Sequence, residues 1–291
     1  MLSNFFFQPP KKKKFFTKIK YSILKKIFLI KWFLICNIKY YFTIFFIRNK
    51  KKLHNIYIIL LSKNRPTKFR RLLDSINILS KKKNRIKILV LLDKDEKMKK
   101  DYIIISNYFK KNLDIELFFK NFYPYPLGYN FLASKSKKNS LICIFSDDLI
   151  ISLDKWDDYL DFIASKFSKK KAFSIWTRSN DHTEKYYTLS EHPIINSNWF
   201  KALGYICDEK LPYITDLQIC ELGRISGNFI ITKKMMYNHL RADENNNEDD
   251  ETSIKLKKFR QSKDYDWYPN WIKNTNKRIE DAYKIKNFKS L

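Results

Sequence analysis

Residues Leu141–Ile151 read LICIFSDDLII. A short apolar run rich in Ile and Phe delivers two adjacent carboxylates, Asp147 and Asp148, and then turns apolar again. Such a run suits a strand buried on both faces, with the acids at the mouth of a sheet. Two neighbouring like charges are costly to hold together unless water or a cation compensates them. Oxygen ligands favour magnesium or manganese, ions that share their coordination with phosphates. In the competing reading Asp148 caps the following element and Asp147 is solvated. The order of elements on either side favours the first reading.

Upstream, Ile56 to Leu61 is a continuous aliphatic run that ends in the polar turn Ser62-Lys63-Asn64-Arg65-Pro66, and Thr67 can cap the helix that follows. That helix, Lys68 to Leu79, carries Phe69, Leu72, Leu73 and Ile76 at helical spacing. Ile86 to Leu92 reads as a second buried strand ending in Asp93-Lys94-Asp95-Glu96, followed by a polar helix to about Phe109 and a third strand, Ile115 to Phe119. A loop from Tyr123 and a helix, Tyr129 to Ser136, lead into the Asp147–Asp148 strand. Downstream, Asp154 to Phe167 reads as a helix, Ala172 to Trp176 as a strand, Trp199 to Leu203 as a short helix and Phe229 to Thr232 as a late strand. Alternating strand and helix, with strands as near-continuous apolar runs, argues for an α/β fold with a mostly parallel sheet. Ligands of such sheets bind at the carboxyl ends of the strands.

The chain has 291 residues and a formal charge of +28, built from 48 Lys but only 10 Arg. Arginine makes the forked contacts to phosphate and guanine, so the lysine excess is weak support for nucleic acid as a partner. Half of the surplus sits in residues 1–52, which hold 14 Lys and Arg and no acid. Within that segment, Ile27 to Ile47 is interrupted by Lys31, Asn37 and Lys39. Its 13 Ile, Leu and Phe residues, at roughly −0.3 to −0.6 kcal/mol each, about cancel two lysines at roughly +2.5 to +3.5 kcal/mol each. The sequence therefore leaves open whether it spans a membrane. No small-residue cleavage site follows, which argues against a secretory signal peptide. A basic interfacial segment on an anionic membrane face is the favoured reading, and helices packed on the domain the alternative. The expected organisation is thus residues 1–52 as a basic, aromatic segment and 53–291 as the globular domain. Cys36, Cys143, Cys207 and Cys220 form no C-x-x-C pair, which points to a reducing compartment and no zinc site. The expected location is cytoplasmic, peripheral on the inner face of a membrane.

Taken together, Asp93 after the second strand and Asp147 and Asp148 after the fourth share one sheet edge with the turn Ser62 to Arg65. Carboxylates, backbone N–H groups and an arginine suit a nucleotide whose diphosphate is bridged to the protein by a metal. Asp93 can accept from a base or ribose there. Alternatively, Asp93 caps the next helix and Arg65 is a solvated turn residue.

The order IYIILLSKNRP, ILVLLD, PLGYN, IFSDDL resembles the family 2 type of GT-A glycosyltransferase, with Ser146-Asp147-Asp148 at the position of the DxD-like motif. His192-Pro193 through Trp199-Phe200-Lys201-Ala202-Leu203-Gly204-Tyr205 resembles the HP...W-x-x-LGY segment of small phage and bacterial transferases of this kind. The likeness covers roughly Ile56 to Thr252. It implies a Rossmann-like three-layer sandwich, a nucleotide-diphosphate sugar donor and Mn2+ or Mg2+. By the same resemblance Asp148 and His239 hold the metal, with Asp250-Glu251-Thr252 following His239 as an acidic D-x-T-like stretch. Ser62, Asn64, Arg65, Asp93 and Asp147 then bind the donor. The motif reads S-D-D rather than D-x-D, which leaves the main metal contact on Asp148 and Asp147 nearer the sugar or ribose. Inverting members use a carboxylate as general base on an acceptor hydroxyl; Asp216 is the candidate by order, with Asp181, Glu191 and His192 as competitors. The acidic loop Asp243 to Glu251 is either a solvated segment or a lid over the donor. Two other functions stay open. A nucleotidyltransferase needs the same carboxylates, but its glycine-rich early loop has no counterpart in Ser62 to Thr67. A non-catalytic binder of nucleic acid or another polyanion would rest on the +28 charge.

Overall fold

The computed structural model describes residues 54–121, 124–168, 170–180, 190–211, 215–240, 254 and 268–290. All of them lie in the unit Leu53–Leu291, so the basic segment Met1–Lys52 falls outside the described residues, as do Asp181 and the acidic loop Asp243 to Glu251. No helix among the described residues is long and apolar enough to cross a membrane.

The first half alternates as the apolar runs dictate: β1 (Asn55–Ser62), α1 (Pro66–Leu79), β2 (Ile86–Leu92), α2 (Lys99–Phe109), β3 (Asp114–Phe119), α3 (Tyr125–Ser134) and β4 (Ser140–Ser146). The four strands lie in the order β3-β2-β1-β4, all parallel. Side chains alternate across a strand. Tyr57 and Ile59 of β1, Leu89 and Leu91 of β2, and Ile142 and Ile144 of β4 therefore fill one face, in a core shared with Leu132 of α3. The intervening residues serve the opposite face, where Phe145 of β4 meets Trp156 of α4 (Trp156–Ala164) and Phe69 of α1 meets Tyr102 of α2. Helices on both faces make three layers, and both sides of β1, β2 and β4 are apolar for that reason.

Helix α3 begins four residues earlier than its sequence suggests. Pro124 and Pro126 stand at its start, where a missing N–H costs nothing and a fixed φ suits the first turn.

The second half adds β5 (Leu149–Ile151), β6 (Ser174–Ser179), β7 (Ile194–Asn196) and β8 (Phe229–His239), extending the sheet as β4-β7-β6-β8-β5. Strand β8 runs to His239 rather than stopping at Thr232. Lys233 and Lys234 look like a strand end in sequence, but they form a bulge at which the pairing with β6 shifts register. The hydroxyl of Tyr159 on α4 accepts from both of their backbone N–H groups, at 3.3 and 3.4 Å, so the bulge leaves neither donor stranded. The strand then continues and pairs antiparallel with β5, setting His239 opposite Leu149.

Three further helices, α5 (Ser197–Leu203), α6 (Thr215–Ser226) and α8 (Thr275–Asn287), complete the core on the Tyr57–Ile59 face, contributing Trp199, Leu222 and Ile285; α7 (Tyr268–Lys273) precedes α8. Gly223 lets α6 approach β6: a Cβ there would lie 2.6 Å from Ser174 Oγ and 3.3 Å from Phe229 Cβ. Ser174 Oγ also accepts from Trp176 Nε1 at 3.1 Å, so it cannot turn away without orphaning that donor. Gly223→Ala is expected to destabilise the protein by about 1–3 kcal/mol through overpacking, a loss that exceeds the gain of up to about 1 kcal/mol in helix propensity. A thermal midpoint equal to or above that of the wild type would refute this.

Candidate active site

Parallel register brings Ser62, Leu92 and Ser146 to a common edge, since Leu61 pairs with Ser146 and Ser62 with Leu92. The turn after β4 therefore aims Asp147 and Asp148 at the turn after β1. Asp147 is buried; its Oδ2 accepts from Ser62 Oγ at 2.5 Å and its Oδ1 from Arg65 Nη1 at 3.2 Å. Burial raises its pKa well above the usual carboxylate range despite Arg65, and the neighbouring Asp148 charge adds to the rise. Asp148 moves the other way. Burial would raise it, but the His239 hydrogen bond and charge, with Ser146 and Arg65, outweigh that and hold it low. Arg65 Nη1, 3.9 Å from Asp148 Oδ2, thus lies between both carboxylates.

Sequence reading missed Tyr102. Its hydroxyl accepts from Arg65 N at 2.9 Å and lies 2.6 Å from Ser62 Oγ. Ser62 gives its one proton to Asp147, so Tyr102 must donate to Ser62. Burial raises the Tyr102 pKa, keeping the phenol protonated for that role. The signal was the spacing of Tyr102, Ser106 and Phe109, the buried stripe of α2.

The β5–β8 pairing carries His239 to Asp148: Leu240 N donates to Asp148 O at 2.9 Å, and His239 Nε2 lies 3.3 Å from Asp148 Oδ1. Its Nδ1 lies 2.9 Å from Glu191 Oε2, so the ring bridges two carboxylates. His192 stacks edge-on against His239, with centroids 5.1 Å apart. Its Nδ1 sits 3.3 Å from Ile144 O; a carbonyl only accepts, so the proton is on Nδ1 and the lone pair on Nε2. Glu191, His192 and His239 each offer a ligand atom within 4.8 Å of the others. Two imidazoles and a carboxylate, with Asp148 adjoining, are a donor set that can hold a divalent metal ion. The sequence placed Glu191 and His192 only among competing bases; the fold gathers them around His239.

Asp93 follows β2 on the same edge, where its Oδ2 pairs with Lys63 Nζ at 2.5 Å; that hydrogen bond holds its pKa low. Asn64 adopts a left-handed φ of 56°, its N–H donating to Glu96 Oε2 at 3.0 Å. Glu96 also accepts from Met98 N at 2.9 Å, so this buried carboxylate shapes the turn after β1. Asp216 lies in the first turn of α6, one turn before Cys220, whose Sγ packs on Ser190 beside Glu191. Burial pushes the Tyr129 phenol up, Cys207 and Tyr125 add to the rise, and the charges of Asp147 and Asp216 contribute less.

No protein-family profile matches the sequence, and no curated protein matches it. Solved structures do. S. aureus TarS 1-349 is 15% identical with a TM-score of 0.52, over 78% of this chain and 81% of that one. Its complex with UDP is 14% identical with a TM-score of 0.52, over 80% and 90%. The mannosyltransferase PcManGT from Pyrobaculum calidifontis, in complex with GDP-Man and Mn2+, is 9% identical with a TM-score of 0.53, over 69% and 63%. The three-layer architecture and its mixed, mostly parallel sheet are thus those of the GT-A-like fold.

Proposed function

We propose that this chain is a metal-dependent glycosyltransferase of the family 2 type, moving a sugar from a nucleotide-diphosphate donor to an acceptor hydroxyl on a glycan, lipid or protein. The observation that carries the reading is the gathering of Asp147, Asp148, Arg65, Glu191, His192 and His239 at one sheet edge of a GT-A-like fold. The neighbours that resemble it were solved with UDP-GlcNAc, UDP, and GDP-Man with Mn2+, which supports a nucleotide-sugar donor.

In this reading Asp148 and His239 hold the divalent ion together with Glu191 and His192. When bound, Mn2+ or Mg2+ supplies Lewis-acid compensation of the charge that grows on the leaving diphosphate. Ser62, Asn64, Arg65 and Asp93 bind the donor, the turn after β1 offering N–H groups and a guanidinium. Asp147, fixed by the Tyr102–Ser62 relay, faces the sugar or ribose. Asp216 takes the proton from the acceptor hydroxyl as that oxygen attacks the anomeric carbon. The enzyme works on the cytoplasmic face of a membrane, held by its basic segment.

Titration calorimetry with UDP- and GDP-sugars, with and without Mn2+, tests this. One nucleotide is expected to bind with manganese and at least tenfold more weakly without it. Absence of binding by every nucleotide, in folded protein, would defeat the reading and leave the polyanion binder ahead.

A further inference from the structure

Helix α2 has two faces. Tyr102, Ser106 and Phe109 turn inward, and Tyr102 reaches Ser62 and Arg65. The outer positions Lys100, Ile103, Ile104, Asn107 and Tyr108 recur at helical spacing and, with Lys111 just past the helix end, form one exposed stripe. Its centre is apolar, with Ile103 38%, Ile104 66% and Tyr108 55% exposed. Its margin is cationic. Residues 97–111 hold Lys97, Lys99, Lys100, Lys110 and Lys111 against Asp101, a net of +4 from five positive and one negative charge. Arg70 from α1 and Lys111 both lie over the Tyr108 ring, 5.7 and 5.1 Å from its centroid.

We infer that this stripe docks on the surface of an anionic lipid bilayer. Exposed isoleucines and a tyrosine ringed by lysines match such an interface, where apolar side chains enter the acyl boundary while lysine stems carry their charges to the headgroups. Charge selects the occupant. A second copy would present the same cationic stripe and is repelled. An anionic bilayer satisfies both the apolar centre and the basic margin. Because α2 also carries Tyr102 to the turn after β1, docking sets the carboxyl edge of the sheet at a fixed attitude to the lipid surface. This inference does not depend on the transferase reading.

The test uses the full chain and vesicles of phosphatidylcholine with or without phosphatidylglycerol, with lipid titrated to give a partition coefficient. Contributions multiply, so the stripe is measurable even if residues 1–52 also bind. The variant I103S/I104S/Y108S is expected to lose at least tenfold in partitioning to phosphatidylglycerol vesicles while keeping its thermal midpoint. K100E/K111E is expected to lose affinity for those vesicles and little for pure phosphatidylcholine. An I104W variant is expected to be quenched by brominated lipid beyond the background of the six native tryptophans. Unchanged partitioning of the triple variant, or no extra quenching of I104W, overturns the inference. Lipid-free dimers in sedimentation velocity, abolished by the triple variant, would also overturn it by giving the stripe to a second copy.

Discussion

Replacing His239 by alanine is expected to abolish manganese-dependent donor binding and to lower kcat/KM by about 10²–10³-fold. Among the described residues, His239 belongs both to the pair with Asp148 and to the cluster with Glu191 and His192. Loss of Asp148 would leave three of the four donors, and loss of Glu191 or His192 likewise; loss of His239 also removes the ring that spaces the two carboxylates. A bound ion contributes several kcal/mol of charge stabilisation to a departing diphosphate, and about 3–4 kcal/mol corresponds to the stated range. A binding readout separates the ligand role from a folding defect. At an ion concentration of 100 times its dissociation constant, Mn2+ is expected to stabilise the wild type by about 2.7 kcal/mol, a rise in thermal midpoint of roughly 5–11 °C for a domain of this size. A chelator should reverse that rise, and H239A should show none of it. If H239A keeps the manganese-induced rise, the metal rests on other residues and the assignment fails.

The strands after which the site is built were legible because they are buried on both faces. IYIILL, ILVLL and LICIF announce themselves as unbroken apolar runs, and their parallel order follows from the helices between them. Asp147 and Asp148 were legible for the same reason, since two charges that interrupt such a run are too costly to bury within it and so mark its end at the sheet edge. Where a strand is short the signal fades, even inside the sheet. Strand β7 is three residues long, and only its pairing between β4 and β6 makes Ile194–Asn196 a strand. Helices α6 and α8 carry polar residues through much of their length and bury only one face, so their sequences do not stand out.

The chemistry of the site divides along the same line. His239 could be named only through a resemblance, because Asp148 and His239 are far apart in sequence and meet through the antiparallel β5–β8 pair. Nothing local to Glu191 and His192 distinguishes a ligand from a turn residue; the Nδ1 contact to Ile144 O, which fixes the ring, needs β4 beside it. Tyr102 and Glu96 act on the turn after β1 from the segment after β2, and periodicity alone marks the first as buried without marking its hydroxyl as used.

Asp157→Ala is expected to cost about 3–5 kcal/mol of stability, the range for breaking a buried ion pair from one side. Asp157 is fully buried at the start of α4, and nothing in its sequence neighbourhood, KWDDY, separates it from Asp158. The fold does. Asp157 Oδ1 accepts from Lys81 N and Oδ2 from Lys82 N, both at 3.0 Å, and Arg85 Nη2 adds a third contact at 3.1 Å. Arg85 in turn donates to His54 O at 2.9 Å and pairs with Asp161 at 2.5 Å. The carboxylate therefore pins the turn between α1 and β2 and the entry to β1 on the end of α4. Removing it strands two backbone donors and leaves a buried guanidinium with one carboxylate fewer. At about 2–4 °C per kcal/mol for a domain of this size, the midpoint should fall by roughly 6–20 °C. Asp158, one residue on, meets only the flexible side chains of Lys81 and Lys82, at 2.8 and 3.7 Å. Its replacement by alanine should cost about 1 kcal/mol or less. The network lies at the amino ends of the strands, opposite the carboxylate edge, so D157A that remains folded should bind Mn2+ and nucleotide as the wild type does. Equal losses for D157A and D158A would mean that the buried carboxylate does not anchor this turn, and lost nucleotide binding in folded D157A would mean that the two ends of the sheet are coupled.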